Sequence, residues 1–153
     1  MRKLFAVLAV ALVMAGCQDG NGSPTDPSQV NIEFSTTDLV VGTGAEAVVG
    51  RQVTLPFELW LYDANGTASK GTRIQGSTDP NPQVPGTTVG PITFVVGSGQ
   101  LIAGFDQGVR GMRVGGKRRM YIPPSLAYGP QGNGPIPANA SIVFEVELTN
   151  VVQ

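Results

Sequence analysis

Only one stretch of this 153-residue chain, Leu101 to Met112, repeats its apolar residues at helical spacing, and two glycines cut it short. Leu101, Ile102, Phe105, Val109 and Met112 would share one helix face. Gly104 and Gly108 each cost about 1 kcal/mol relative to alanine inside a helix, which holds the element to a few turns. Everything else that the chain buries must therefore be buried by strands.

The strand signals are plentiful. Val53 to Tyr62 places Val53, Leu55, Phe57, Leu59 and Leu61 on one face, which reads as one half-buried strand in spite of Pro56. Asp63-Ala-Asn-Gly66 then turns the chain. Ile92 to Val96 is a β-branched and aromatic run, and Met112 to Pro123 is another, with Arg113, Lys117 and Arg119 outward. Ile142 to Val152 is the cleanest, because Ile142, Phe144, Val146 and Leu148 alternate with Val143, Glu145, Glu147 and Thr149. The simplest architecture that buries these faces is α+β, an antiparallel sheet wrapped on one short helix. Between Gly76 and Pro91 four prolines and two further glycines forbid a regular ladder. That loop could border a binding site or merely protect a sheet edge, and the sequence favours neither.

The N-terminus reads as an address. Arg2 and Lys3 precede an apolar run from Leu4 to Ala15, too short to span a bilayer and shaped like a signal peptide, which we place at residues 1–16. Cys17 is the only cysteine and follows Met14-Ala15-Gly16, which resembles a bacterial lipobox with Met where Leu is usual. The expectation is a lipidated Cys17 anchoring the chain to a membrane, in preference to an ordinary cleavage that leaves Cys17 a bystander. Gln18 after the cysteine favours the outer membrane, periplasmic side, of a bacterial envelope. Residues 17–31 then form a polar tether expected to be flexible, and residues 32–153 a single domain expected to be monomeric.

Without the signal segment the chain carries 8 basic and 11 acidic residues, and it has no histidine. This balance argues against nucleic-acid binding, and against histidine chemistry. With Cys17 assigned to the anchor, no metal set and no catalytic triad is available, and no cofactor is expected. Gly97-Ser-Gly-Gln100 and Gly111-Met-Arg-Val-Gly-Gly116 match neither a phosphate-binding loop nor a dinucleotide fingerprint and read as turns. Lys117-Arg118-Arg119 reads as a solvated strand face, with contact to an anionic surface as the lesser alternative. A pocket is suggested instead by Phe105 at the mouth of the core, faced by Tyr128, whose hydroxyl is a polar handle on an apolar body.

Four blocks in order carry a resemblance: Leu101-Ile-Ala-Gly-Phe-Asp-Gln-Gly-Val109, Gly111-Met-Arg-Val-Gly-Gly-Lys-Arg-Arg119, Ile122-Pro-Pro-Ser-Leu-Ala-Tyr-Gly129 and Ile136 to Leu148. Together with Trp60-Leu-Tyr-Asp63 they resemble the successive blocks of the FKBP-type peptidyl-prolyl cis/trans isomerases, over most of the chain after Leu39. The resemblance implies a twisted antiparallel sheet of five or six strands around a short helix, with an apolar prolyl pocket that receives proline-containing polypeptides.

Carried over by position, the resemblance assigns catalytic roles to Phe57, Gln75, Tyr128 and Phe144, and substrate binding to Ile74, Ile92, Leu101, Ile102, Phe105 and Ile136. Phe57 stands where the family usually has Tyr, Phe105 where many members have Trp, and Ile92 where many have Phe. The family's Phe-Asp-Ser-Ser block falls on Ile74-Gln-Gly-Ser77, so Ile74 replaces an aromatic wall and Gln75 an acidic residue. An amide can hydrogen-bond but supplies no charge, so reduced isomerase activity and weak macrolide inhibition are expected. The expected function is prolyl isomerisation in the service of folding in the envelope. The alternative is a binding module or periplasmic chaperone that holds proline-containing segments without isomerising them, and a purely structural lipoprotein ranks last.

Overall fold

The computed structural model describes residues 26–83 and 88–152. The signal segment, Cys17 and most of the polar tether lie outside the described residues, as do positions 84–87 of the Pro-rich loop. Among the described residues there are eight strands: β1 Ser35–Val40, β2 Gln52–Leu55, β3 Phe57–Tyr62, β4 Lys70–Gly76, β5 Ile92–Val95, β6 Lys117–Ile122, β7 Ile142–Glu147 and β8 Asn150–Val152. One helix, α1, runs Ala103–Val109. The main sheet has the order β1-β6-β7-β3-β4 and a smaller one the order β5-β2-β8, with antiparallel pairing between neighbours. The expected α+β fold, an antiparallel sheet around one short helix, is what the chain adopts.

The expected strand from Val53 to Tyr62 is in fact two. Pro56 has no N–H to donate, and there the chain leaves the small sheet as β2 and enters the main sheet as β3. The last strand divides at the same level, into β7 and β8. Glu147 N–H bonds to Pro56 O at 3.1 Å and Thr149 N–H to Thr54 O at 3.0 Å, so the two bends follow each other. The run from Met112 to Pro123 is also shorter than expected. Met112 to Gly116 form a loop held by Ala45, Ala47 and Leu148, and the strand begins at Lys117.

Cross-strand rows define the face on which α1 lies. Ile122, Ile142 and Leu61 make one row, and Met120, Phe144 and Leu59 the next. The helix approaches so closely because two of its residues have no side chain: a Cβ on Gly104 would collide with Ile122, and one on Gly108 with Met120. Both partner side chains are fully buried. Sequence periodicity spans Leu101 to Met112, but only seven residues are helical. Ile102 is the residue before the first turn, and Met112 lies in the turn that follows Val109.

Two readings made from composition need correction. Arg118 is not part of a solvated face: it lies in the Val146–Phe57 row, on the helix side. Its Nη1 donates to Gly108 O at 2.8 Å and to Arg110 O at 3.1 Å, capping the end of α1, while Nε and Nη2 bind Asp38. The ordered chain also begins earlier than Ile32. Asp26 accepts from Ser28 N–H and Oγ, and the buried Ser28 sits against Ser141. Ser141 N–H bonds to Ser28 O and its Oγ to Val30 O, so residues 26–31 pack on the domain.

Candidate active site

Three of the four aromatic residues selected from the sequence, Phe57, Phe105 and Phe144, assemble in one cluster, which Phe94 joins. Phe105 meets Phe144 edge to face at 5.0 Å between ring centroids, Phe57 tilts against Phe144 at 6.0 Å, and Phe94 meets Phe105 at 5.8 Å. Four different elements deliver them. Phe57 and Phe144 come from β3 and β7 on the inner face of the main sheet, Phe105 hangs from α1, and Phe94 projects from β5. Edge-to-face contact suits rings with a negative face and a positive rim, so the cluster is a stable apolar floor. It is also closed: Phe105 is 1%, Phe144 4% and Phe57 7% exposed.

Beside this floor is an open cleft of about 160 Å³, lined by Leu59, Ile74, Gln75, Tyr128, Asn133, Pro135 and Ile136. Four of the ten positions proposed from the sequence, Ile74, Gln75, Tyr128 and Ile136, thus meet in one place. Ile74 and Gln75 come from β4 at the sheet edge. Tyr128 ends the Pro-Pro turn after β6, and Ile136 closes a small hairpin in which Asn133 and Ile136 exchange backbone hydrogen bonds at 2.9 Å each way. Phe57, Phe105 and Phe144 do not line the cleft: Phe144 is the cross-strand neighbour of Leu59, Phe105 packs on Phe144, and Phe57 borders a separate cleft with Pro56, Glu58 and Ser77. Ile92, Leu101 and Ile102 are half-buried against the core and are also outside its lining.

The cleft offers hydrogen bonds and no charge. Among the described residues the Tyr128 hydroxyl, on the cleft's lining, has no hydrogen-bond partner, and neither has the Ile102 N–H, which lies outside that lining. The nearby ions lie at the β4 edge. Arg73 donates Nη1 and Nη2 to Asp79 at 2.9 and 2.8 Å and Nε to Glu58 at 2.7 Å. The Arg73 hydrogen bonds, reinforced by Gly76 N–H, hold the Asp79 carboxyl below the usual carboxylate range. This network secures the turn directly after Gln75. Ser77 completes it, accepting from Phe57 N–H at 2.6 Å and so tying the start of β3 to the end of β4.

Sequence reasoning missed Leu59, Phe94, Asn133 and Pro135. Phe94 is two residues from Ile92 in a strand, and alternation alone would have placed it on the same face as the core. Alternation puts Leu59 on an apolar face, but its neighbours across the sheet depend on register. No described residue of the Gly76 to Pro91 loop lines the cleft. It folds back on itself instead, with Val89 N–H bonded to Asp79 O and Gly90 N–H to Ser77 O.

A family model described as FKBP-type peptidyl-prolyl cis-trans isomerase matches residues 44–149. The chain is 36% identical to FK506-binding protein 2 of Dictyostelium discoideum over 152 residues, covering 99% of each. It is 38% identical to the FK506-binding protein of Neisseria meningitidis serogroup A over 117 residues, 76% of this chain and 94% of that one. Its fold is similar to the crystal structure of AtFKBP13, with a TM-score of 0.63, 31% identity, and 81% of this chain and 98% of that one covered. The Escherichia coli FkpA structure is also similar, with a TM-score of 0.60 and 26% identity, although the match covers 77% of this chain and only 47% of that one. The match extends through the helix that carries Phe105, the turn that carries Tyr128 and the strand that carries Phe144, and the chain belongs to the FKBP-type peptidyl-prolyl cis-trans isomerase family.

Proposed function

We propose that this chain is a peptidyl-prolyl cis/trans isomerase whose substrate enters at the Gln75–Tyr128 cleft and which works in a bacterial envelope, anchored through lipidated Cys17. The observation that carries this reading is the meeting of Ile74, Gln75, Tyr128 and Ile136 in one cleft, with Leu59 joining it to Phe144 of the aromatic cluster. The basic, apolar, small-residue sequence ahead of Cys17 supports the anchor. Among the described residues no helix is long and apolar enough to cross a membrane.

The chemistry needs no nucleophile. Resonance holds the X-Pro amide planar behind a barrier of roughly 20 kcal/mol, and that resonance is lost in the twisted state. The twisted amide is less charge-separated than the planar one, so a dry apolar site favours it relative to the ground state. Tyr128 OH and Ile102 N–H would hold the flanking peptide while the ring sits against the apolar wall. Gln75 would offer a neutral hydrogen bond where a carboxylate would give a charged one, which lowers the rate relative to an acidic homologue.

The burial of the aromatic floor favours a second reading, a binding module that grips proline segments at the rim without twisting them. An isomerisation assay on proline tetrapeptides, paired with binding by titration calorimetry, separates the two. An isomerase accelerates the reaction and loses most of that acceleration in Tyr128→Ala. A binding module shows heat of binding with no acceleration, and a chain that does neither has no prolyl site at this cleft.

A further inference from the structure

We infer that Leu59 sets the depth of the prolyl site: its side chain is the wall that separates the open cleft from the aromatic floor. This inference rests on the isomerase reading of the cleft and adds a specificity-determining residue to it.

The geometry comes from one cross-strand row. Met120 on β6 is opposite Phe144 on β7, Phe144 is opposite Leu59 on β3, and Leu59 is opposite Gln75 on β4. Residues directly opposite in an antiparallel sheet share a face, so the four side chains stand side by side toward the helix. The row starts under α1, where Gly108 lies against the fully buried Met120, and continues to Phe144, which is held by Phe105. It ends at Gln75 on the rim of the cleft. Leu59 is the step between. It is the one member of the row besides Gln75 that lines the cleft, yet it is only 5% exposed because its other side packs on the core. A ring entering past Tyr128 and Ile136 therefore meets the Leu59 methyl groups before it can reach Phe144 or Phe105.

A wall of this kind predicts a gain on truncation, which loss of packing alone does not produce. Shortening Leu59 joins the cleft to the floor and lets the proline ring settle deeper, where the site is drier. In the full chain, Leu59→Ala should raise kcat/KM for a proline tetrapeptide roughly tenfold, the low end of what a few methylenes contribute in an apolar pocket. Leu59→Val should rise less, Leu59→Met should stay near the parent, and Leu59→Phe should fall. Discrimination between proline and its six-membered-ring homologue, measured as the ratio of their inhibition constants as dipeptide esters, should shrink in Leu59→Ala. Near-UV circular dichroism confirms that each variant is folded, and Leu59→Val keeps the test alive if Leu59→Ala is not. Suppose the parent accelerates isomerisation and Tyr128→Ala abolishes it, while Leu59→Ala and Leu59→Val stand at or below the parent. The wall is then overturned and the isomerase reading survives. If neither the parent nor any Leu59 variant accelerates the reaction, both fall.

Discussion

On the proposed reading of the cleft, Gln75 is where a single side chain would most directly set the chemistry. It stands opposite Leu59 in the ladder and lines an otherwise uncharged cleft, so its amide is the strongest hydrogen-bonding group that β4 contributes there. A carboxylate in its place would make charge-assisted bonds to a bound peptide, which exceed neutral ones by roughly 1 kcal/mol. Gln75→Asp is therefore expected to raise kcat/KM about fivefold in the tetrapeptide assay; an unchanged rate would mean that Gln75 does not face the substrate. Arg73 on the same strand is already joined to Asp79 and Glu58, so among the described residues its charge is engaged elsewhere. Motif position made Gln75, Ile74, Tyr128 and Ile136 legible from sequence. Nothing in the order of residues showed that Leu59 would stand among them, because that depends on which residue of β4 falls opposite it.

The helix and its strand illustrate a conflict between local and tertiary preference. Gly104 weakens α1 as an isolated helix, and replacing it with alanine should improve helix propensity by about 1 kcal/mol. The tertiary structure reverses the sign. A Cβ there would collide with Ile122, a stiff β-branched side chain with no exposed surface to yield into, and would also crowd Leu126 O. Overpacking of this kind costs about 1–3 kcal/mol, so Gly104→Ala should lower the urea midpoint without changing the urea slope. Element existence was readable where the period was strong, as for α1, β5 and β7. β4, Lys-Gly-Thr-Arg-Ile-Gln-Gly, carries one large apolar residue and two glycines, and its strand conformation is imposed by the β3 edge rather than by its own pattern. β1 is exposed throughout and is a strand only because β6 supplies its hydrogen-bond partners.

At the scale of the whole molecule, stability should depend on pH in a definite direction. Hydrogen bonds from Arg118 hold Asp38 below its ordinary value, and those from Arg73 do the same for Asp79. Burial pushes the Glu145 carboxyl up, but bonds from Arg119 and Lys70 outweigh it and bring it below the usual range. A carboxyl lowered in the folded chain is protonated first in the unfolded one. Its contribution is thus complete above the unfolded pKa of about 4 and is lost as the pH falls through the folded value. Urea unfolding should show constant stability from neutrality to about pH 5 and a decline below pH 4, shallower in Asp79→Asn. A second expectation concerns the N-terminal segment. A domain begun at Asn31 loses the acceptors of both the Ser141 N–H and its hydroxyl, and should be less stable than one begun at Asp26 by roughly 1–3 kcal/mol, measured by the same unfolding series. The sequence by itself determined the class of fold and the family, because alternation, glycine placement and ordered motifs are properties of neighbours along the chain. Only the tertiary structure decided where Pro56 splits two sheets, that Arg118 caps the helix, and that Leu59 stands between rim and floor. Register and cross-strand adjacency are relations between distant segments, and they exist only once the sheet has closed.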